Sequence, residues 1–200
     1  MKISVTNGVS FRKIFNILLF LIFIIFLKIF KQIFLFLVEI ILLGGIIAFD
    51  LCMKDYLVKF LSDKPHMSYV LIDGFIDLYY SENTGAGFGM FKDGTLALTI
   101  VTAVVIVACL LYLVIFHHDS EWLRIPLVMI SAGGIGNLID RIRYSYVVDM
   151  FDIKLFKFAV FNVADSFVCI GVVLILIDIL FGKGKFLFDD KKEKSAKWRL

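Results

Sequence analysis

Proline is almost missing from this chain of 200 residues: only Pro65 and Pro126 occur. Cysteine is sparse too. Cys52, Cys109 and Cys169 lie far apart without a C-x-x-C pair, which excludes a disulfide-stapled secreted domain and a cysteine zinc site. Histidine appears at His66 and in the adjacent pair His117–His118, with no H-E-x-x-H spacing, so a helical zinc motif is excluded. Charged residues make up 20% of the chain, below the usual ~25%, and the net charge is only +3. Seven Lys or Arg against three acids crowd into residues 183–199. That run is too short and mixed for a nucleic-acid partner and suits a cytoplasmic anchor beside a hydrophobic span. Low proline and low charge also exclude disorder.

What the chain has in excess is apolar surface. Hydrophobic residues reach 60%, with 14 glycines besides and 22 phenylalanines. A soluble domain carries roughly 45–50% with glycine included, and one of ~150 residues buries only about 70% of its unfolded surface. The bilayer is the solvent that fits. Its hydrocarbon core, ~30 Å thick, needs about 20 helical residues. Four segments come close: Ile33–Phe49, Thr95–Phe116, Ile125–Ile142 and Phe161–Phe181. A further apolar stretch, Ile14–Leu27, lies between Arg12-Lys13 and Lys28–Lys31. It is short for a span and lacks a small-residue cleavage site, so it reads as a helix at the cytoplasmic interface, with an additional span as the alternative. Basic residues before the first span and after the fourth place both termini in the cytoplasm. Residues 50–94, with four Lys against seven acids, then lie outside. Within them Asp50–Leu61 can extend the first helix, and Tyr69–Tyr80 reads as a hairpin about Asp73-Gly74. The expected fold is a mainly α, four-helix membrane bundle with a small extracytoplasmic sheet and an extra N-terminal apolar helix.

Polar residues inside spans cost about 2.5–3.5 kcal/mol each on insertion scales, so each calls for a reason. Asn137, Asp140 and Arg141 share one helix face near the outer end of the third span, and Asn162, Asp165 and Ser166 repeat that spacing in the fourth. Asp149 sits in the outer connection between them, and Asp50 and Lys54 stand i, i+4 after the first span, as a surface ion pair would. Arg141 has the planar fork to hold a carboxylate or a phosphate. With no serine–base pair and no metal spacing, the available chemistry is a pair of aspartates sharing one proton. Three readings stay open on the residues alone: an aspartic hydrolase, a proton or ion pathway, and an ion network that only orders the helices. Acids confined to one membrane depth, with none in the second span, weigh against a transport path.

Four motifs occur in order: Asn83-Thr84-Gly85-Ala86-Gly87-Phe88-Gly89, Gly133-Gly134-Ile135-Gly136-Asn137-Leu138-Ile139-Asp140-Arg141, Val147-Val148-Asp149, and Phe161-Asn162-Val163-Ala164-Asp165-Ser166. Together they resemble the lipoprotein signal peptidases (signal peptidase II), bacterial membrane aspartyl proteases, over about Ile33–Phe181. The resemblance implies that Asp149 and Asp165 are catalytic. It implies that Asn83, Asn137, Arg141 and Asn162 line the site, with Asp140 in support. Asp50 and Lys54 match the ends of the family's D-Q-x-[ST]-K pattern, whereas Leu51 and Met53 replace its Gln and Ser/Thr. The implied substrate is a prolipoprotein whose cysteine carries diacylglycerol, cut on the amino side of that cysteine at the outer face of the bacterial cell membrane. Membrane lipids are the other implied partner. Neither a metal nor an organic cofactor is implied, and the chain is expected to act as a monomer. The domains expected are an N-terminal extension at 1–31, a membrane peptidase domain at 32–182 whose outer region covers the site, and a basic tail at 183–200.

Overall fold

The computed structural model describes residues 11–85, 95–115, 121–156 and 158–181. The elements are α1 (Phe11–Ser62), a 3-10 turn (Pro65–Met67), β1 (Ser68–Ile72), β2 (Ile76–Asn83), α2 (Thr95–Ile115), α3 (Glu121–Tyr144), β3 (Val147–Ile153) and α4 (Val163–Phe181). The basic tail, His117 and His118, and the glycines after Ala86 in the first motif lie outside the described residues.

Among the described residues four helices, α1, α2, α3 and α4, are long and apolar enough to cross a bilayer. The stretches 14–27 and 33–49, set apart in the sequence by Lys28 and Lys31, lie in one helix. No proline or glycine falls between residues 14 and 43, and lysine is a good helix former, so nothing local breaks the run. The same helix continues through Asp50–Leu61, as the sequence allowed.

The chain divides into two compact units, Met1–Ile40 and Ile41–Leu200. In the first, the described helix is apolar on every side, with Phe20, Phe26 and Phe30 all at least 60% exposed. A helix of that character is solvated by lipid.

In the second unit α3 packs against both α2 and α4. Without a hydrophobic force between helices in lipid, close approach needs small side chains. A Cβ on Gly133 would collide with the Ala164 carbonyl oxygen, and one on Gly136 would sit 2.7 Å from Asp50 Oδ2. The glycines therefore set the spacing of α3 from α4 and from the Asp50 turn of α1. Leu113, Leu123, Leu127 and Val128 fill one apolar cluster between helices. Leu57 and Leu61 of α1 form another beneath Leu78, Val148 and Met150 of the sheet.

The sheet is antiparallel in the order β1-β2-β3. The β1–β2 hairpin turns at Asp73-Gly74, where Gly74 takes φ 68°, as its Asp-Gly pair signals. β3 is a strand the sequence did not announce. It pairs with β2 through Asn83↔Val147 and Ser81↔Asp149, across more than 60 residues of chain, so no local turn signal marks it. Ser145, with φ 65°, closes α3 through its N–H to the Arg141 carbonyl (3.0 Å) and turns the chain into β3.

Candidate active site

The β2–β3 register brings Asp149 to the middle of a buried strand, where it is 1% exposed. A carboxylate so placed needs hydrogen-bond donors. Asn83 Nδ2 donates to its Oδ2 at 2.9 Å, and Asn162 Nδ2 donates to its Oδ1 at 2.8 Å. Burial, and behind it the charge of Asp165, push the Asp149 carboxyl up to about 7, against the pull of the two amides.

Asp165 owes its position to the start of α4. The Asp165 backbone N–H donates to Asn162 Oδ1 at 2.8 Å, and the Asn162 backbone N–H donates to Asp165 Oδ2 at 3.2 Å. This is a reciprocal capping box, with Asn at the cap and Asp three residues on. The Ala164 N–H, another first-turn donor that the helix cannot satisfy itself, goes to Asp50 Oδ1 at 2.9 Å. The other oxygen of Asp165 accepts Asn137 Nδ2 at 2.7 Å.

Each amide that faces a carboxylate is held in one orientation by a group that can only donate. Gly85 N–H donates to Asn83 Oδ1 at 3.0 Å, and the Asp165 N–H fixes Asn162. Asn137 Oδ1 accepts Asn162 Nδ2 at 3.0 Å and faces Lys54 Nζ at 3.4 Å. An ammonium has no acceptor, so all three amides turn their N–H groups to the carboxylates. Both aspartates thus carry a donor on each oxygen.

Lys54 lies behind this layer. Its Nζ is 2.7 Å from Asp50 Oδ2 and 2.8 Å from Asp140 Oδ2, and all three side chains are at least 96% buried. The alternative of a mere surface pair at Asp50 and Lys54 does not hold: the small Gly136 lets α3 close over Asp50, and Asp140 adds a second counter-charge. Asp140 Oδ2 also accepts the Val148 N–H at 3.2 Å, anchoring the strand beside Asp149.

A cavity of about 500 Å³ opens beside the pair. Asn83, Asn137, Arg141 and Asp165 supply its polar wall, and Val147, Phe158, Val160, Phe161 and Ile170 its apolar wall. Asp149, which accepts from Asn83, is not among the residues that line the cavity. Arg141 has its Nε buried without a hydrogen-bond partner and is near enough to Asp165 and Asp149 to act on both electrostatically.

All nine residues singled out from the sequence therefore meet in one place, eight by hydrogen bonds or ion pairs and Arg141 through the cavity wall. The sequence left Gly85, Ser166 and Cys169 without a role at the wall, where the cavity places them. Gly85 carried a signal, since Asn-x-Gly favours a side-chain-capped turn. Cys169 follows Asp165 by four residues and so shares its helix face. Among the described residues no group of three His, Cys, Asp or Glu is arranged to hold a metal ion.

Apolar helices, a small sheet and two electrostatically coupled aspartates beside a cavity define a multi-pass membrane protein with an aspartic-type site. Comparison with known proteins gives the class its name. Residues 41–181 match the family model for signal peptidase (SPase) II. The chain is 39% identical over 135 residues to a lipoprotein signal peptidase of Streptococcus pneumoniae, covering 68% of this chain and 87% of that protein. It is 43% identical over 133 residues to one from Caldanaerobacter subterraneus, covering 65% and 90%. A solved bacterial membrane enzyme superposes with a TM-score of 0.67 at 27% identity, over 74% of this chain and 90% of that one. The chain belongs to the signal peptidase II family and is an aspartic peptidase.

Proposed function

We propose that this peptidase removes signal peptides from diacylglyceryl-modified prolipoproteins, cleaving on the amino side of the lipidated cysteine, with Asp149 and Asp165 as the reacting pair. The observation that carries the reading is the paired carboxylates, each gripped on both oxygens and each within the other's field. Two carboxyls in that relation share one proton near neutral pH, and their titration belongs to the pair.

The ionised member takes a proton from water as the water oxygen attacks the scissile carbonyl carbon. The neutral member gives its proton to the carbonyl oxygen. The resulting gem-diol collapses as the pair's proton passes to the nitrogen, the carbon–nitrogen bond breaks, and one gem-diol hydroxyl returns its proton to the pair. The pair ends with the one proton it began with, and one water has been consumed. Asn83, Asn137 and Asn162 keep the carboxylates oriented through the cycle. Arg141, with its unpaired Nε on the cavity wall, receives an oxyanion or carbonyl of the substrate. The apolar wall formed by Phe158, Phe161 and Ile170 keeps the acyl chains in a lipid-like setting.

The basic residues flanking the spans support a bacterial cell-membrane protein with cytoplasmic termini and an extracytoplasmic site. We assign 32–182 to the peptidase domain, 1–31 to an extension and 183–200 to a basic tail, in a monomer that needs no cofactor.

The test is cleavage of a diacylglyceryl-modified precursor and its unlipidated twin by the purified full chain in detergent or liposomes. Only the lipidated precursor should be cut, and Asp149→Asn and Asp165→Asn should each lose turnover by at least ~10⁴-fold while staying folded. Processing by either variant at more than a tenth of the normal rate would remove that residue from the reaction.

A further inference from the structure

We infer that Lys54, which does not line the cavity beside the pair, is the positioning residue that sets both the geometry and the working pH of the aspartate pair. The inference rests on Asp149 and Asp165 being that pair. One ammonium holds three acceptors, and each acceptor holds the chain at or next to a reacting aspartate. Asp50, 2.7 Å away, takes the N–H of Ala164, the residue before Asp165. Asp140, 2.8 Å away, takes the N–H of Val148, the residue before Asp149. Asn137 presents its oxygen to the ammonium at 3.4 Å and thereby its Nδ2 to Asp165 at 2.7 Å. A single charge on α1 thus ties α3, β3 and α4 together at the site.

The same arrangement carries an electrostatic consequence. The charged groups around the pair are Asp50 and Lys54 on α1, and Asp140 and Arg141 on α3, facing Asp149 on β3 and Asp165 on α4. Lys54 is the one cation of this set held wholly out of water. Buried charges are poorly screened, so its field reaches both carboxylates. Without it the working anion of the pair is harder to form. An uncharged residue at 54 also frees the Asn137 amide to turn its oxygen toward Asp165, which favours a protonated carboxyl there. Both effects have the same sign.

The test measures kcat, KM and their pH dependence on a lipidated precursor with the full chain. Three variants are compared, Lys54→Met, Lys54→Arg and Lys54→Met with Asp140→Asn. The double variant keeps the formal charge of the Asp50–Lys54–Asp140 cluster at −1, so it avoids the two uncompensated carboxylates that could unfold Lys54→Met. The expected result is a kcat about 10²-fold lower in Lys54→Met and the double variant, the loss typical of a misplaced reacting group. KM should change less than threefold, and in Lys54→Met the acidic limb should move up by at least half a pH unit, with a smaller upward shift in the double variant, whose cluster charge is unchanged. Lys54→Arg keeps the charge and should keep the limb. An exposed control, Lys154→Ala, should change nothing. A folded variant without the ammonium that keeps normal kcat and an unmoved limb overturns the inference, as does a loss of kcat that merely follows a loss of thermal stability in all three. Asp149→Asn and Asp165→Asn are run alongside. If either cleaves normally, the pair assignment itself has failed; if both are dead while the Lys54 variants behave normally, only the role of Lys54 has.

Discussion

Replacing Asp149 with asparagine should change stability in a way that depends on pH, with a size that follows from its surroundings. Burial and the neighbouring Asp165 push its carboxyl from 3.8 up to about 7. A carboxyl whose folded value is raised binds its proton better when folded, so its contribution is full below the unfolded value and is lost as pH rises through the folded one. Between pH 5 and pH 7 the loss is about 2.3 kcal/mol, at roughly 1.36 kcal/mol per unit, and the next unit adds only ~0.4 kcal/mol before it flattens. Asp149→Asn removes that titration. The variant also faces two amide donors, from Asn83 and Asn162, with only one oxygen, which costs about 1–3 kcal/mol at every pH. The constant cost cancels when the variant is compared with the native chain at two pH values. The native chain should therefore lose about 3 kcal/mol relative to the variant on going from pH 5 to pH 8. Thermal or denaturant unfolding in detergent micelles at both pH values measures this. A stability difference that does not change with pH would refute the premise that Asp149 is buried with a raised affinity for its proton.

Asn83→Ala takes one charge-facing donor, about 1.5–3 kcal/mol, from Asp149. It should raise the acidic limb of kcat/KM by roughly 1–2 pH units at ~1.36 kcal/mol per unit, and an unmoved limb in a pH–rate series would contradict the bond. Gly133→Ala forces a Cβ onto the Ala164 carbonyl and should cost about 1–3 kcal/mol by thermal unfolding. Gly44→Ala, with open space around it, should instead gain about 0.5–1 kcal/mol from helix propensity; equal effects at the two sites would discredit the close α3–α4 contact. The family match begins at residue 41, so a chain lacking residues 1–28 should still cleave in a membrane assay, and total loss would show that the segment is integral to the catalytic unit.

Much of the fold was legible because its causes are local. Residues 95–115 carry no charge and form α2, and Asp73-Gly74 between β-rich runs forms the hairpin. Asn137, Asp140 and Arg141 fall on one face because a helix repeats every ~3.6 residues. β3 was not legible, since Val147–Ile153 becomes a strand only by pairing with β2. The burial of Lys54 was not legible either. An i, i+4 Asp–Lys pair looks the same in sequence whether water or a third helix covers it.

The sequence by itself determined that this chain lives in a bilayer, how many helices can cross it, and that its acids and amides gather at one end of them. These follow from composition and short-range periodicity. Only the tertiary structure decided which amide grips which carboxylate, that Asp50, Lys54 and Asp140 form a dry cluster, and that Asp165 lines the cavity while Asp149 does not. Those contacts join residues as far as 114 positions apart, and their partners depend on how closely the glycines of α3 let neighbouring backbones approach.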